Sequence, residues 1–187
     1  ETIAMIRRQA DKMSKMISQL LSMTRLEQGT EPAHLEWIDL NQLLHSLCEE
    51  LAYDPRRLLL EVPETITVAA DSALLSRLVR NLIENAFKYG KPDGCVWISA
   101  IRKEKEILLE VRDNGVGIPL EQQDKIWQRF YRADTARSEG GTGLGLSIVQ
   151  QIARIHGGYM TLSSIPQVGS TFILHLPVPE AFAQTNA

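Results

Sequence analysis

The chain has 187 residues, of which 44% are hydrophobic and two are cysteines, and its formal net charge is −3. This length and apolar content suffice for one good core with an appended helix, while the weak negative charge argues against nucleic acid as the main partner. Two cysteines indicate neither a disulfide framework nor a zinc site, and the absence of a long apolar run or signal segment predicts a cytoplasmic chain.

The first 29 residues predict one long helix that carries a heptad stripe. No Gly or Pro precedes Gly29, and apolar or small residues recur at alternating steps of three and four. The heptad stripe consists of Ile3, Ile6, Ala10, Met13, Ile17, Leu20 and Thr24. Such a stripe needs a partner helix. A free helix on a membrane surface is the less favoured alternative, because acidic and basic residues mix on its polar side.

Short elements follow this helix. After a Gly-Thr-Glu-Pro linker at 29–32, we expect a strand at 35–40, a helix at 41–53 and strands at 58–62 and 66–69. The helix places leucines at helical spacing on one face, so it should pack against a core.

Residues 71–88 predict a helix with a polar face. Asp71 is a plausible N-cap, and no Gly or Pro interrupts the segment. The polar face consists of Asn81, Glu84, Asn85 and Lys88, and the apolar face of Leu74, Leu75, Leu78, Leu82 and Ile83. A solvated face would more often carry stronger helix formers than asparagine. An amide oxygen suits Mg²⁺ and a lysine one turn further can meet a phosphate, so this face predicts a ligand site.

A β-hairpin is predicted from residues 96–101 and 107–111, and its second strand ends in Asp113-Asn-Gly. A buried Asp at that point can accept a hydrogen bond from the exocyclic amine of adenine. Gly115 and Gly117 would leave room for a flat base. The same pattern is also typical of an ordinary turn from strand to loop.

The run at 140–146 is rich in glycine and leads into a predicted helix that ends at Gly157-Gly158. A glycine-rich loop that enters a helix exposes backbone N–H groups and the positive end of the helix dipole, which together hold phosphate. The loop lacks the lysine of a Walker motif. It also lacks the strand that precedes a dinucleotide fingerprint, because residues 136–140 are polar.

Residues 159–163 and 171–176 predict a second hairpin, and Pro177 and Pro179 then end the fold before a polar tail. Together the elements predict an α+β fold, a two-layer α/β sandwich in which a mixed sheet packs on helices, preceded by one long helix.

Five of these segments resemble, in order, the N, G1, F, G2 and G3 boxes of bacterial two-component sensor histidine kinases. They are residues 81–89, 113–117, 130–134, 141–146 and 169–171. Each box is weak alone, but five at compatible spacings are specific. The resemblance implies the Bergerat-type ATP-binding fold of the GHKL superfamily. The long helix is similar to the second helix of the dimerisation hairpin in these kinases.

The resemblance implies a role for each matching residue. Asp113 would bind the adenine amine and Asn85 would ligate Mg²⁺. Lys88 and Arg132 would meet the phosphates as catalytic residues, and Tyr89 would pack against the base or ribose. The implied nucleotide contacts are Asn81, Asn85, Lys88, Tyr89, Asp113, Gly115, Gly117, Ile118, Tyr131, Arg132, Gly141, Thr142, Gly143, Leu144, Gly145, Leu146 and Thr171.

The segment from Phe130 to about Gly141 resembles the mobile lid over ATP. Within and beside it we expect Phe130 to be a packing anchor and Arg129 and Arg137 to be solvated. Few large apolar residues follow Tyr131, which fits low local stability.

Asn81 bears on the type of reaction. In the related gyrase, mismatch-repair and heat-shock chaperone ATPases, the residue four before the magnesium asparagine is a glutamate that activates water. An amide cannot take a proton near neutral pH, so Asn81 favours phosphoryl transfer over hydrolysis. Two alternatives remain: a Ser/Thr kinase of the same fold, of the anti-sigma type, and a slow ATP-hydrolysing conformational clamp. The long heptad helix argues against the first, and Asn81 argues against the second.

In the family the phosphoacceptor histidine lies on the first hairpin helix, which would precede residue 1. None of His34, His45, His156 and His175 matches that position, so we expect that this chain cannot phosphorylate itself. The expected partners are a nucleotide, the phosphoacceptor helix of the same kinase, a response regulator and a second copy of the parent. Membrane contact would occur only through segments outside the chain.

The expected domain division has four parts. Residues 1–29 form the hairpin helix, 30–37 a linker with the first strand, 38–180 the ATP-binding catalytic domain and 181–187 a polar tail.

Overall fold

The computed structural model describes residues 2–28, 33–62, 64–132 and 141–178. Its elements are α1 (Thr2–Gln28), β1 (Glu36–Asp39), α2 (Leu40–Leu51), β2 (Leu58–Glu61), β3 (Thr67–Ala70), α3 (Ser72–Lys88), β4 (Val96–Arg102), β5 (Glu106–Asp113), α4 (Leu120–Gln123), α5 (Gly145–Ile155), β6 (Tyr159–Ile165) and β7 (Gly169–Pro177). The predicted helices and strands are confirmed with small shifts at their ends. The short helix α4 was not predicted, and the polar tail at 181–187 lies outside the described residues.

The main sheet has five strands in the order β2-β4-β5-β7-β6. The pair β2–β4 is parallel and the other pairs are antiparallel, so the sheet is mixed as predicted. On one face of the central strand β5, Ile107, Leu109 and Val111 are buried. This face packs against α3 and α5 and gives the predicted two-layer sandwich. Strands β1 and β3 form a separate two-stranded antiparallel sheet that was not foreseen.

Helix α3 supports the site from within this core. Its N-cap Asp71 accepts hydrogen bonds from the backbone N–H groups of Leu74 and His34, each at 3.0 Å. The predicted apolar face is buried at Leu75, Leu78, Leu82 and Ile83, whereas Leu74 is only partly buried. The opposite face therefore points away from the core and presents its polar residues at the edge of the glycine-rich loop.

Helix α1 divides its apolar residues between two faces. Met23 and Leu26, which lie outside the heptad stripe, are buried against the domain. Within the heptad stripe, Ile3 is 83% exposed and Met13 is 63% exposed. The stripe therefore faces solvent while the C-terminal end of the helix is fixed to the domain. In the part of the chain that the structure describes, no helix has the length and apolar character needed to cross a membrane.

Candidate functional site

The two asparagines of α3 lie beneath the start of α5. A Cβ atom added to Gly145 would lie 3.2 Å from Asn81 Oδ1 and 3.8 Å from Asn85 Nδ2. Asn81 Nδ2 donates to the carbonyl oxygen of Arg77 at 2.8 Å, which turns Asn81 Oδ1 toward the loop. The structure thus brings both amides to the helix end where backbone N–H groups carry partial positive charge.

Lys88 and Tyr89 meet the other end of the glycine-rich loop. A Cβ atom at Gly141 would collide with Lys88 Nζ and would lie 3.1 Å from Tyr89 Oη. Lys88 Nζ lies 4.9 Å from the centre of the Tyr89 ring, a distance at which the cation and the ring attract each other. The absence of a side chain at Gly141 leaves the ammonium group beside the loop backbone, where an anion can reach both.

Gly143 is fixed against the chain at Phe130. Its φ is +73°, and a Cβ atom there would lie 2.7 Å from the carbonyl carbon of Phe130. The N–H of Phe130 donates to the carbonyl oxygen of Gly143 at 2.9 Å. Phe130 therefore makes this contact through its backbone, and the expectation of a packing anchor was wrong because the residue is 53% exposed.

The predicted lid lies largely outside the described residues, since 133–140 are not described, and Arg137 is among them. Arg129 was expected to be solvated. Its side chain is 46% exposed, as expected, and also forms an ion pair with Glu27 of α1. Tyr131 and Arg132 are partly buried where the described chain approaches the loop.

Asp113 ends β5 between β4 and β7. Its Oδ1 accepts a hydrogen bond from Gly115 N–H at 2.8 Å, and the carboxylate also accepts one from the backbone N–H of Ser170. Burial raises the pKa of the Asp113 carboxyl, and these two hydrogen bonds offset the rise only in part. A further donor, such as the amine of a purine, would stabilise the ionised form in this setting.

The two glycines after Asp113 allow close contacts with neighbouring parts of the protein, and the expectation that they leave room for a base stays a prediction. A Cβ at Gly115 would lie 2.8 Å from Asp113 Oδ1 and 3.0 Å from the Cα of Gly90. Gly117 has a φ of +66°, and its Cβ would collide with the carbonyl oxygen of Ile165. The loop of residues 113–118 therefore lies flat on its neighbours, held by the tip of the β6–β7 hairpin.

The remaining predicted residues differ in exposure. Leu144 is fully buried, so only its backbone can meet a ligand. Thr142 Oγ1 donates to Gln19 Oε1 of α1 at 2.7 Å. The partly buried residues are Ile118, Leu146 and Thr171. The structure thus gathers amides, a lysine and backbone N–H groups at the glycine-rich loop, with a carboxylate at the end of β5.

The protein ligands available for a metal ion at this site are amide oxygens. Among the described residues, no group of three or more His, Cys, Asp or Glu could hold one. The amide oxygens of Asn81 and Asn85 are suitable ligands for Mg²⁺, which keeps several waters and takes substrate phosphates for the rest of its shell. The donor set therefore fits a metal that arrives with a nucleotide.

The sequence did not predict the residues outside the 113–118 loop that hydrogen-bond to it. Ser164 Oγ accepts a hydrogen bond from Ile118 N–H at 2.8 Å, and Gln123 Nε2 donates to the carbonyl oxygen of Ile118 at 2.9 Å. Neither residue belongs to one of the five boxes, and a serine within a strand carries no local signal of such a contact.

Comparison with known proteins shows which family this chain resembles. The profile of the histidine kinase-, DNA gyrase B- and HSP90-like ATPase family matches residues 70–180. The chain is 37% identical over 186 residues to the sensor histidine kinase RppB of Synechocystis, covering 92% of the chain and 40% of RppB. It is 33% identical over 177 residues to the sensor-like histidine kinase SenX3 of Mycobacterium bovis, covering 90% of the chain and 43% of SenX3.

Solved structures agree with this placement. The mycobacterial sensor histidine kinase MprB has a TM-score of 0.67 at 29% identity, over 76% of this chain and 97% of that one. Full-length ShkA in complex with AMPPNP has a TM-score of 0.80 at 23% identity, which shows likeness of fold, over 94% of this chain and 38% of that one. The chain belongs to the histidine kinase-, DNA gyrase B- and HSP90-like ATPase family and contains the ATP-binding catalytic domain of a sensor histidine kinase. It spans about two fifths of the length of RppB and SenX3.

Proposed function

We propose that the site holds ATP with Mg²⁺ and that its γ-phosphate is transferred to a histidine on a dimerisation helix outside this chain. Asp113 accepts the adenine amine, Asn85 holds the metal, and Lys88 and Arg132 meet the phosphates. The observation that carries the proposal is the convergence of the two α3 amides, Lys88 and the glycine-rich loop at one end of α5. The nucleotide supplies the phosphoryl group, and the protein supplies position and charge.

The remaining predicted contacts line the same site. Tyr89 lies beside the loop for the base or ribose, and the backbone N–H groups of residues 141–146 face the phosphates. The further proposed contacts are Asn81, Gly115, Gly117, Ile118, Tyr131, Thr142, Leu144 and Thr171. Gly115 and Gly117 contribute by allowing the 113–118 loop its flat path.

Phosphoryl transfer to a side chain is favoured over hydrolysis by the residue at position 81. Asn81 faces the loop as an amide that cannot remove a proton from water near neutral pH. A neutral imidazole is already a nucleophile and needs no such base. Cations around the phosphates can stabilise the charge that develops in the transition state.

The four histidines of the chain lie in different parts of the fold. His34 and His45 are exposed. His156 is buried beyond the far end of α5, where its Nε2 accepts from the N–H of Asp71 at 3.0 Å. His175 lies on the outer face of β7, with Nδ1 2.8 Å from Glu106 Oε2. The acceptor is therefore proposed to come from another segment.

The exposed heptad stripe is a surface suited to packing against other helices. We propose that it packs with the first hairpin helix and with a second copy in a homodimeric parent, since apolar residues at heptad spacing seek such partners. A response-regulator aspartate would then receive the phosphoryl group. The parent is proposed to be anchored in the cell membrane through other segments, leaving residues 1–29 as hairpin helix, 30–37 as linker and 38–180 as catalytic domain.

The test mixes this chain and γ-labelled ATP with a separately made acceptor hairpin from its parent. Label on the hairpin that is lost in acid and kept in base is expected, since phosphohistidine behaves in this way. Acid-stable label would indicate a Ser or Thr kinase instead. Steady-state phosphate release without labelled hairpin, abolished by Asn81→Ala, would support the conformational clamp and overturn the proposal.

A further inference from the structure

Ser164 lies near the end of β6, on a strand that carries none of the predicted nucleotide contacts. Its Oγ accepts a hydrogen bond from Ile118 N–H at 2.8 Å and donates to the carbonyl oxygen of Gly169 at 3.0 Å. It also lies 3.0 Å from Ser170 Oγ. One hydroxyl group therefore joins the end of the 113–118 loop to the start of β7.

The hydrogen bonds of Ser164 Oγ form a bridge from Ile118 to Gly169 and Ser170. The Gly169 and Ser170 end of this bridge lies against Asp113. A Cβ atom at Gly169 would collide with the carbonyl oxygen of Asp113, so the two backbones touch directly. The N–H of Ser170 donates to the Asp113 carboxylate. Through Gly169 and Ser170 the bridge therefore reaches the carboxylate, and through Ile118 it reaches the opposite end of the same loop.

Two further bonds show that the hairpin fixes the loop. Gln123 Nε2 donates both to the carbonyl oxygen of Ile118 at 2.9 Å and to that of Ser164 at 3.0 Å. The N–H of Gln167, at the hairpin tip, donates to the carbonyl oxygen of Val116 at 2.7 Å. Residues 114–118 belong to no helix or strand, so bonds of this kind set the position of their backbone.

We propose that Ser164 is a positioning residue for the base of the nucleotide, because it holds the 113–118 loop and keeps Asp113 aligned with its backbone donors. The inference rests on the proposed function, since it requires adenine to meet Asp113. Loss of the hydroxyl would leave Ile118 N–H without its acceptor and would raise the population of displaced loop conformations. Apparent affinity falls in proportion to the fraction of molecules in the competent conformation.

The test compares Ser164→Ala with the unaltered chain by isothermal titration with ATP, ADP and adenosine. We expect binding of all three to weaken by a common factor of about 3 to 10, the range that one lost hydrogen bond supports. The factor is common because the loop positions the base and not the phosphates. Ser163→Ala is the matched control, since Ser163 is the exposed neighbour on the same strand, and Ser164→Thr keeps the hydroxyl; both should stay within about twofold.

Hydrogen exchange at the Ile118 amide supplies a readout that does not depend on ligand, and it should be faster in Ser164→Ala than in Ser163→Ala. If Ser164→Ala does not fold, Gln123→Ala removes the other bonds at the same end of the loop and should weaken all three ligands alike. Unchanged affinities and exchange in the alanine variants, with the unaltered chain binding normally, would overturn this inference alone. Failure of the unaltered chain to bind any adenine ligand would instead overturn the proposed function.

Discussion

Replacing Asp113 by asparagine tests the proposed base-binding role of this residue with almost no change of shape. The carboxylate accepts hydrogen bonds from Gly115 and Ser170 and is proposed to accept a third from adenine. The asparagine side chain would offer one oxygen and one amino group in place of two oxygens. A donor on the ligand would then compete with the two backbone N–H groups for a single acceptor atom.

The expected loss follows from the value of a hydrogen bond to a charged group. Such a bond contributes about 1.5–3 kcal/mol, which corresponds to a Kd for ATP that is roughly 10- to 150-fold weaker in Asp113→Asn. Isothermal titration calorimetry with ATP and Mg²⁺ measures this Kd. Glu110→Gln is the matched control, because Glu110 lies on the same strand with its side chain on the outer face of the sheet, and its Kd should stay within about twofold.

The same variant has a second effect, on the pH dependence of stability. Burial raises the pKa of the Asp113 carboxyl in the folded chain, so the folded state holds this proton more tightly than the unfolded state. The contribution of Asp113 to the free energy of unfolding therefore falls as pH rises from the ordinary carboxyl pKa through the raised one. Urea unfolding of Asp113→Asn should lack this decline.

Two results would refute the reasoning. A Kd for ATP in Asp113→Asn that matches Glu110→Gln would remove the carboxylate from base binding. A stability difference between Asp113→Asn and the unaltered chain that runs in the opposite direction with pH would show that hydrogen bonding, and not burial, dominates the pKa of Asp113.

The remaining predictions concern the glycine-rich loop, the metal and a helix cap. Gly143→Ala should lower the free energy of unfolding by more than Gly157→Ala. Both positions have φ near +70°, so alanine costs about 1–2 kcal/mol of backbone strain at each. Only the Cβ at position 143 would also collide with backbone, at Phe130, while the Cβ at 157 would lie 3.7 Å from a proline ring. Equal losses in urea unfolding would argue against a tight contact at Phe130. Asn85→Ala should abolish the gain in ATP affinity on adding Mg²⁺, measured by titration with and without the metal; a full gain would exclude Asn85 as the ligand. Asp71→Ala should cost about 1 kcal/mol in urea unfolding, because it removes the cap of α3, and no loss would contradict that role.

The sequence predicted the parts of the site that depend on local spacing. The polar face of α3 follows from the helical period of residues 81–88, and the position of Asp113 follows from a strand that ends in turn-forming residues. These features need no knowledge of distant contacts. The five boxes were recognised for the same reason, since each is contiguous in the chain.

The parts that escaped prediction depend on pairing across the chain. Strands β1 and β3 were predicted, but their pairing in a separate sheet, which places Glu36 opposite Ala70, was not, because four residues each give no signal of the partner strand. Helix α4 is equally short. The reason for glycine at position 117 is also non-local, because the obstructing atom belongs to Ile165 on another hairpin. Such contacts become visible only when the hairpin is docked on the loop.

The central place of β5 between β4 and β7 has a consequence for how the chain is made. Strand β4 directly precedes β5 in the chain, whereas β7 follows it by more than 50 residues and is synthesised later. Until β7 pairs, Asp113 lacks the donor at Ser170 and the proposed base site is bordered only by β4. If Asp113 binds the base as proposed, ATP would bind only after β7 has paired, and this binding would stabilise the completed sheet by mass action.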